Sequence, residues 1–327
     1  MSMTSPVSSN VPLPSFGERS PSRSEAIAKS LPHISVCICT YRRPELLRRT
    51  LNGLCGQETN GLFTYSIVVA DNDHARSAEP VAAAFADSAR IHVRYCVEPQ
   101  QNISLTRNQA VRNADGDFIA FIDDDEFPTK RWLLTLFTTC HERGVDGVLG
   151  PVKPHFDADP PQWVVDGRFY DRPSYPTGLV IDGKKGRTGN VLLKKEIFVG
   201  DACPFRPQFL TGEDQDFFRR MIEKGHVFIW CHEALAYEVV PPVRWRRDFM
   251  VRRALLRGAN SLLHPSFGIV EIVKSLIAVP SYAMLLPVML LFGQGIFMQY
   301  LVRLFDHLGK LLALVGIRPV REAYVTE

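Results

Sequence analysis

No two of the seven cysteines are spaced Cys-x-x-Cys, which removes the usual zinc-finger and dithiol redox frameworks. Cys37, Cys39, Cys55, Cys96, Cys140, Cys203 and Cys231 read instead as reduced thiols of a cytoplasmic protein. No Gly-x-Gly-x-x-Gly follows the first apolar run, and no Gly-rich loop ends in Gly-Lys-Ser/Thr. Dinucleotide-type and P-loop readings thereby lose their main support. Strong charge is also missing. A formal net charge of +3 over 327 residues does not make a nucleic-acid binder unless basic residues gather on one face. Met1 to Ser30 lacks the apolar core of a secretory signal and is rich in Ser and Pro, the composition of a disordered leader.

What is present is ordinary globular material, 46% hydrophobic and 22% charged, enough for one large core or two modest ones. From His33 onward short apolar runs alternate with amphipathic stretches. His33 to Thr40, Tyr65 to Asp71, Ile91 to Val97 and Asp117 to Ile122 are predicted strands. Pro44 to Leu54 is a predicted helix: proline suits its first turn, and Leu46, Leu47, Leu51 and Leu54 share one face. Strand followed by helix, repeated, predicts an α/β fold with a mainly parallel sheet flanked by helices. Ligands then bind outside the carboxyl ends of the strands.

The residues at those ends are polar. Thr40, Tyr41 and Arg42 follow the first predicted strand, Asp71 to Asp73 the second, and Asp123, Asp124, Asp125 and Glu126 the fourth. Four consecutive acids repel one another unless a cation intervenes. Mg²⁺ or Mn²⁺ takes one or two carboxylates and leaves positions open for phosphate oxygens. The plainer alternative is a solvated acidic turn capping a helix over Thr129 to Cys140.

Five segments carry a resemblance: ISVCICTYRR at Ile34 to Arg43, VVADND at Val68 to Asp73, NISLTRNQA at Asn102 to Ala110, FIDDDE at Phe121 to Glu126, and TGEDQDFFRR at Thr211 to Arg220. In this order they resemble the family 2 glycosyltransferases of GT-A fold, and among these the bacterial exopolysaccharide (succinoglycan-type) glucosyltransferases. The likeness spans about Ile34 to Arg257. It implies a nucleotide-sugar donor, with UDP as the nucleotide. Thr40 and Asp71 would face the nucleoside, with Tyr41, Arg43 and Arg107 in the nucleotide-sugar set. Asp123 would face the ribose and Asp125 would bind Mn²⁺ or Mg²⁺. Three consecutive aspartates leave the register open by one, so Asp124 stays in the set. The catalytic base falls within Glu213 and Asp214, preferentially Asp214, which implies inversion at the anomeric carbon. Arg244-Trp245 lacks the upstream Gln of the family's processive signature, which argues against processive synthesis. His232 reads as structural.

Arg244 to Arg257 holds six arginines and one acid among aromatic and aliphatic residues, a pattern suited to anionic headgroups or a lipid diphosphate. Ser275 to Met298 has no charged residue but contains Pro280 and Pro287, so spanning and re-entrant geometries are both open. Tyr300 to Val315 is amphipathic. The expected organisation is a leader at 1–30, a catalytic domain at 31–260 and a membrane-associating region at 261–327. The catalytic domain would face the cytoplasm at a bacterial inner membrane. Expected partners are the nucleotide-sugar donor, a saccharide or lipid-linked acceptor and a membrane surface, but no nucleic acid. The rival readings are a sugar-phosphate nucleotidyltransferase and a non-catalytic membrane saccharide-binding protein.

Overall fold

A computed structural model describes residues 31–209, 212–264 and 267–320. The leader expected at 1–30, and Thr211 of the late acidic segment, lie outside the described residues. From Pro32 onward the chain forms one compact unit.

β1 (His33–Thr40), β2 (Thr64–Asp71), β3 (Val93–Val97) and β4 (Phe118–Phe121) alternate with α1 (Pro44–Leu54), α2 (Glu79–Ser88) and α3 (Ile103–Asn113). β1 and β2 are apolar on both faces and buried along most of their length, as strands covered by helices on both sides must be. The amphipathic α1 buries Leu47, Thr50, Leu51 and Leu54 on one face. α3 begins where Asn102 accepts hydrogen bonds from the Ser104 and Leu105 backbone N–H groups at 2.9 and 3.2 Å, satisfying donors that the first turn leaves open.

After β4 the order departs from simple alternation. The remaining strands are β5 (Glu126–Pro128), β6 (Gly147–Leu149), β7 (Val152–His155), β8 (Val191–Lys194), β9 (Phe228–Trp230) and β10 (Ala236–Val239). The interleaved helices are α4 (Trp132–Arg143), α5 (Gln162–Asp166), α6 (Glu213–Glu223), α7 (Arg247–Asn260), α8 (Ile269–Met289) and α9 (Gln294–Leu314). The main sheet runs β3-β2-β1-β4-β8-β6-β9, and a small sheet runs β5-β10-β7. β1 is parallel to both β2 and β4, whereas β8 is antiparallel to β4 and β6.

The helix expected at Thr129 to Cys140 occupies Trp132–Arg143 instead. The acidic run does not cap it: Glu126–Pro128 is drawn into the small sheet opposite β10, and the Thr129 N–H bonds to the Leu235 carbonyl at 3.2 Å. Gly144, at φ 62°, ends the helix in the left-handed region that glycine reaches without a Cβ clash.

One core lies between the sheet and α1, α2 and α4, around Leu47, Leu51, Phe63, Trp132 and Phe137. The other lies between the sheet and α3 and α6, around Ala110, Phe205, Phe217 and Met221. The strand order reverses between β1 and β4, and the residues beyond their carboxyl ends form the cleft.

Candidate functional site

A cavity of about 470 Å³ opens there, lined by Thr40, Tyr41, Arg43, Asn72, Arg107 and Asp123 to Asp125 on one side. Arg172, Glu238, Arg244 and Arg253 line the other. Thr40 Oγ1 donates to Asp124 Oδ2 at 2.8 Å, and Arg43 Nη1 reaches Asp124 Oδ1 at 3.3 Å and Asp125 Oδ2 at 3.4 Å. Parallel pairing of β1 with β4 puts these side chains together although they are more than eighty positions apart.

The other side is an ion-pair network. Arg244 is 5% exposed and donates to Asp125 Oδ2 at 3.0 Å and to Glu238 Oε1 at 3.1 Å. Arg172 pairs with Glu238 and lies 3.6 Å from Glu126. Glu126 and Glu238 stand directly opposite each other on β5 and β10, a placement that like charges oppose unless cations stand between them. Arg172 and Arg244 supply those cations.

Neutralisation is incomplete. Burial, then Asp123, pushes the Glu126 carboxyl well above the usual range. Burial pushes Asp124 up to about 7 against the opposing pull of Arg43, and Asp123 and Glu238 are raised by burial too. Among the described residues the Asp123 carboxylate has no hydrogen-bond partner, and Glu126 Oε1 is buried without one.

Among the described residues no group of three or more His, Cys, Asp or Glu side chains is gathered as an ion's ligand set. The chemistry still fits a hard divalent cation: three consecutive aspartates line the cavity, and among the described residues the Asp123 carboxylate has no hydrogen-bond partner.

Arg107 is not a solvated helix charge. It is 7% exposed and pairs with the buried Glu213, tying α3 to the first turn of α6. Burial opposes its charge, but Glu213 and Asp123 raise its pKa overall. Asp214, next to Glu213, is partly buried and accepts from the Gln215 N–H at 2.7 Å. Burial first, then Glu213, pushes its carboxyl up to about 6. It is not one of the cavity's lining residues, and the charge of Asp123 adds to the rise.

Asp71 is fully buried, and its carboxylate accepts from the Asp73 N–H, the Ala78 N–H and the Tyr95 hydroxyl at 2.8 to 2.9 Å. That carboxylate braces its own loop, and the residue of this strand end that lines the cavity is Asn72. Sequence reasoning placed Asn72 at the binding edge without giving it a role, and missed Arg172, Glu238 and Arg253 as lining residues. It also assigned Arg244 to an outward basic stretch. This is corrected: Arg244 turns inward because Asp125 and Glu238 need a buried counter-charge. The excess of acids at the strand ends was the signal for such cations. His232 lies outside the cavity and bonds to Ser174 Oγ at 3.0 Å.

The sequence pattern of Glycosyl transferase family 2 matches residues 35–206. The chain belongs to this family. It is a glycosyltransferase, and the nucleotidyltransferase and non-catalytic readings fall away. This glycosyltransferase is 34% identical over 233 residues to the succinoglycan biosynthesis protein ExoM of Rhizobium meliloti, covering 69% of this chain and 73% of that one. It is 25% identical to the glycosyltransferase AglE of Haloferax volcanii over 66% of this chain and 70% of that protein. Among solved structures, S. aureus TarS 1–349 in complex with UDP superposes with a TM-score of 0.50 at 14% identity, over 87% of this chain and 92% of that one. TarS 1–349 in complex with UDP-GlcNAc superposes with a TM-score of 0.50 at 16% identity, over 64% of this chain and 58% of that one. These likenesses show a GT-A-like fold.

Proposed function

We propose that this glycosyltransferase is an inverting enzyme of bacterial exopolysaccharide synthesis. It takes a sugar from a nucleoside diphosphate donor, a uridine one, and passes it to a membrane-associated saccharide or lipid-linked acceptor. The observation that carries the reading is the pairing, at one strand-order reversal, of an acid- and arginine-lined cavity of about 470 Å³ with a nearby carboxyl raised to about 6. The names of ExoM and of the UDP-bound TarS point the same way.

In this reading Thr40, Tyr41 and Asn72 bound the nucleoside end of the cavity. Asp71 acts there through the loop it braces. Arg43 and Arg107 face the diphosphate, and Asp123 and Asp124 the ribose and its phosphates. A divalent ion held by Asp125, with Asp123 or Asp124 beside it, would supply charge neutralisation for the leaving diphosphate. Asp214 accepts the proton of the acceptor hydroxyl as that oxygen bonds to the anomeric carbon. The bond from that carbon to the diphosphate breaks with its electron pair on the leaving group, and attack from the opposite face inverts the centre. A carboxyl at about 6 is a stronger base than an ordinary aspartate and is still ionised at neutral pH. Glu213 is the lesser choice because Arg107 occupies it.

Residues 31–260 form the catalytic part and 261–327 the membrane-associating part, at the cytoplasmic face of the inner membrane. Calorimetric titration with UDP, with and without Mn²⁺, tests the donor and metal assignments together. The wild type should bind at least about tenfold more tightly with the ion, and Asp125→Asn should lose that gain. Equal wild-type affinity in both conditions removes the metal from the reading.

A further inference from the structure

α8 touches the rest of the protein along one face. Ser275 Oγ lies 2.9 Å from His307 Nδ1, the Tyr282 ring 5.6 Å from the Tyr300 ring, and Glu271 3.6 Å from Lys310 Nζ, so α8 runs antiparallel along α9. α9 is seated in turn on α7. Arg257 Nε donates to Asp306 Oδ1 at 2.7 Å, and Gly258 and Gly309 let the backbones approach. A Cβ on Gly258 would stand 2.0 Å from the Asp306 carbonyl oxygen, and one on Gly309 2.3 Å from that of Leu255. Gln299 Nε2 also donates to the Gly167 carbonyl, just beyond α5, at 2.8 Å.

The opposite face of α8 is open. Val270, Ile277 and Met284 on α8, and Leu291 in the turn that follows it, are seven residues apart and 61, 63, 79 and 84% exposed, an apolar line along the helix and its exit. Mean hydropathy over Ile269–Phe292 reaches 2.0, with 6% of the window buried.

Length alone permits crossing: 21 residues at about 1.5 Å each approach the roughly 30 Å of hydrocarbon in a bilayer. The neighbours do not permit it. Crossing would draw α9 into hydrocarbon with Arg303, Asp306, His307 and Lys310, and behind it α7, whose Arg253 lines the donor cavity. We propose that α8 lies in the plane of the membrane as a one-leaflet anchor. The Val270–Leu291 line is sunk among acyl chains, α9 rests at headgroup level, and the cavity stays on the aqueous side. Lys274 on α8, which pairs with Glu271 at 2.8 Å, and Arg303 on α9 are both exposed. Exposed basic groups on these two helices attract anionic headgroups, which a second copy of the chain would not supply. The placement therefore favours lipid over a second copy.

The inference rests on the membrane-associating part of the reading above and is independent of the donor chemistry. The full chain is co-sedimented with phosphatidylglycerol/phosphatidylcholine vesicles, beside the double variant Met284→Glu, Leu291→Glu. Separately, Gly268→Cys and Gln294→Cys chains in everted membrane vesicles from expressing bacteria are exposed to an impermeant polyethylene-glycol maleimide, with native thiols counted in the parent. In-plane docking predicts vesicle binding weakened at least about tenfold in the double variant, with donor-dependent UDP release unchanged. It also predicts that both new thiols react from outside. If the Gln294→Cys thiol reacts only after detergent, α8 crosses and the in-plane geometry is overturned while membrane association stands. If the wild type ignores vesicles and forms a dimer that the double variant splits, the face joins two chains and the membrane reading falls too.

Discussion

Thr40, Asn72 and Asp123 reach the cleft from the ends of adjacent parallel strands, whereas Arg172, Glu238, Arg244 and Arg253 reach it from a loop, the short central strand of the small sheet, a single turn and a helix. On the first wall the sheet's register sets position, and side-chain contacts such as Thr40 to Asp124 and the ion pairs of Arg43 and Arg107 are added to it. On the second, position depends on buried charges holding one another: Arg244 between Asp125 and Glu238, Arg172 between Glu126 and Glu238. Removing one partner of a buried pair leaves an uncompensated charge, which costs far more than one hydrogen bond. The same cleft therefore has one wall positioned by the sheet and one positioned by its ion pairs.

Asp214→Asn should give the largest effect, because it touches neither wall's pairing. Turnover at saturating donor should fall about 10² to 10⁴-fold, the usual cost of losing a positioned base, with UDP affinity nearly unchanged. Glu213→Gln, which breaks the pair with Arg107, should lower stability as well as rate. Rate constants and denaturation curves for the two variants separate chemistry from scaffolding, and a normal rate for Asp214→Asn moves the base elsewhere.

The walls themselves are compared by Arg244→Ala and Thr40→Val. The first leaves Asp125 with Arg43 and Glu238 with Arg172 as their remaining counter-charges and should cost about 3 kcal/mol. The second deletes one hydrogen bond and should cost about 1 kcal/mol. Urea denaturation of both reads the difference directly, and equal losses erase the distinction between the walls.

The smallest effect is with pH. Asp124 is held at about 7 when folded, and Asp123, Glu126 and Glu238 are also raised. A carboxyl with a higher pKa folded than unfolded binds more protons when folded, so stability falls as pH rises through the folded value. Without donor or metal, Tm should therefore be higher at pH 6 than at pH 8, by a few degrees, and Asp124→Asn should reduce the gap. The acids with lowered values, Asp73, Asp146 and Asp157, lose their contribution only below about pH 4 and do not mask it. A Tm that is flat across this window would mean that the arginines neutralise the cluster fully.

Much of the first wall was legible in the residues. β1 and α1 span the same residues that apolar patterning and an initial proline predict, and Asp123 to Asp125 stand at a strand end, in the cavity. The second wall was not. Arg244 looked like one arginine among six, and nothing near Glu238 in the chain marked it as a cavity residue. Even on the first wall Asp71 deceived: its loop turns the carboxylate back onto Tyr95 and two backbone N–H groups, which strand-end position does not reveal.

The sequence by itself determined the alternation of strands and helices, the acids and the threonine at strand ends, and the uncharged stretch from Ser275 to Met298. Periodicity and strand-end position are local properties, written in neighbouring residues. Only the tertiary structure decided that β8 enters antiparallel beside β4, that α9 lies between α7 and α8, and which charges meet. Arg244 and Asp125 are 119 positions apart, and Arg107 and Glu213 are 106 apart. A buried charge takes its partner from whatever the completed fold brings within a few ångströms, and residue spacing along the chain does not encode that proximity.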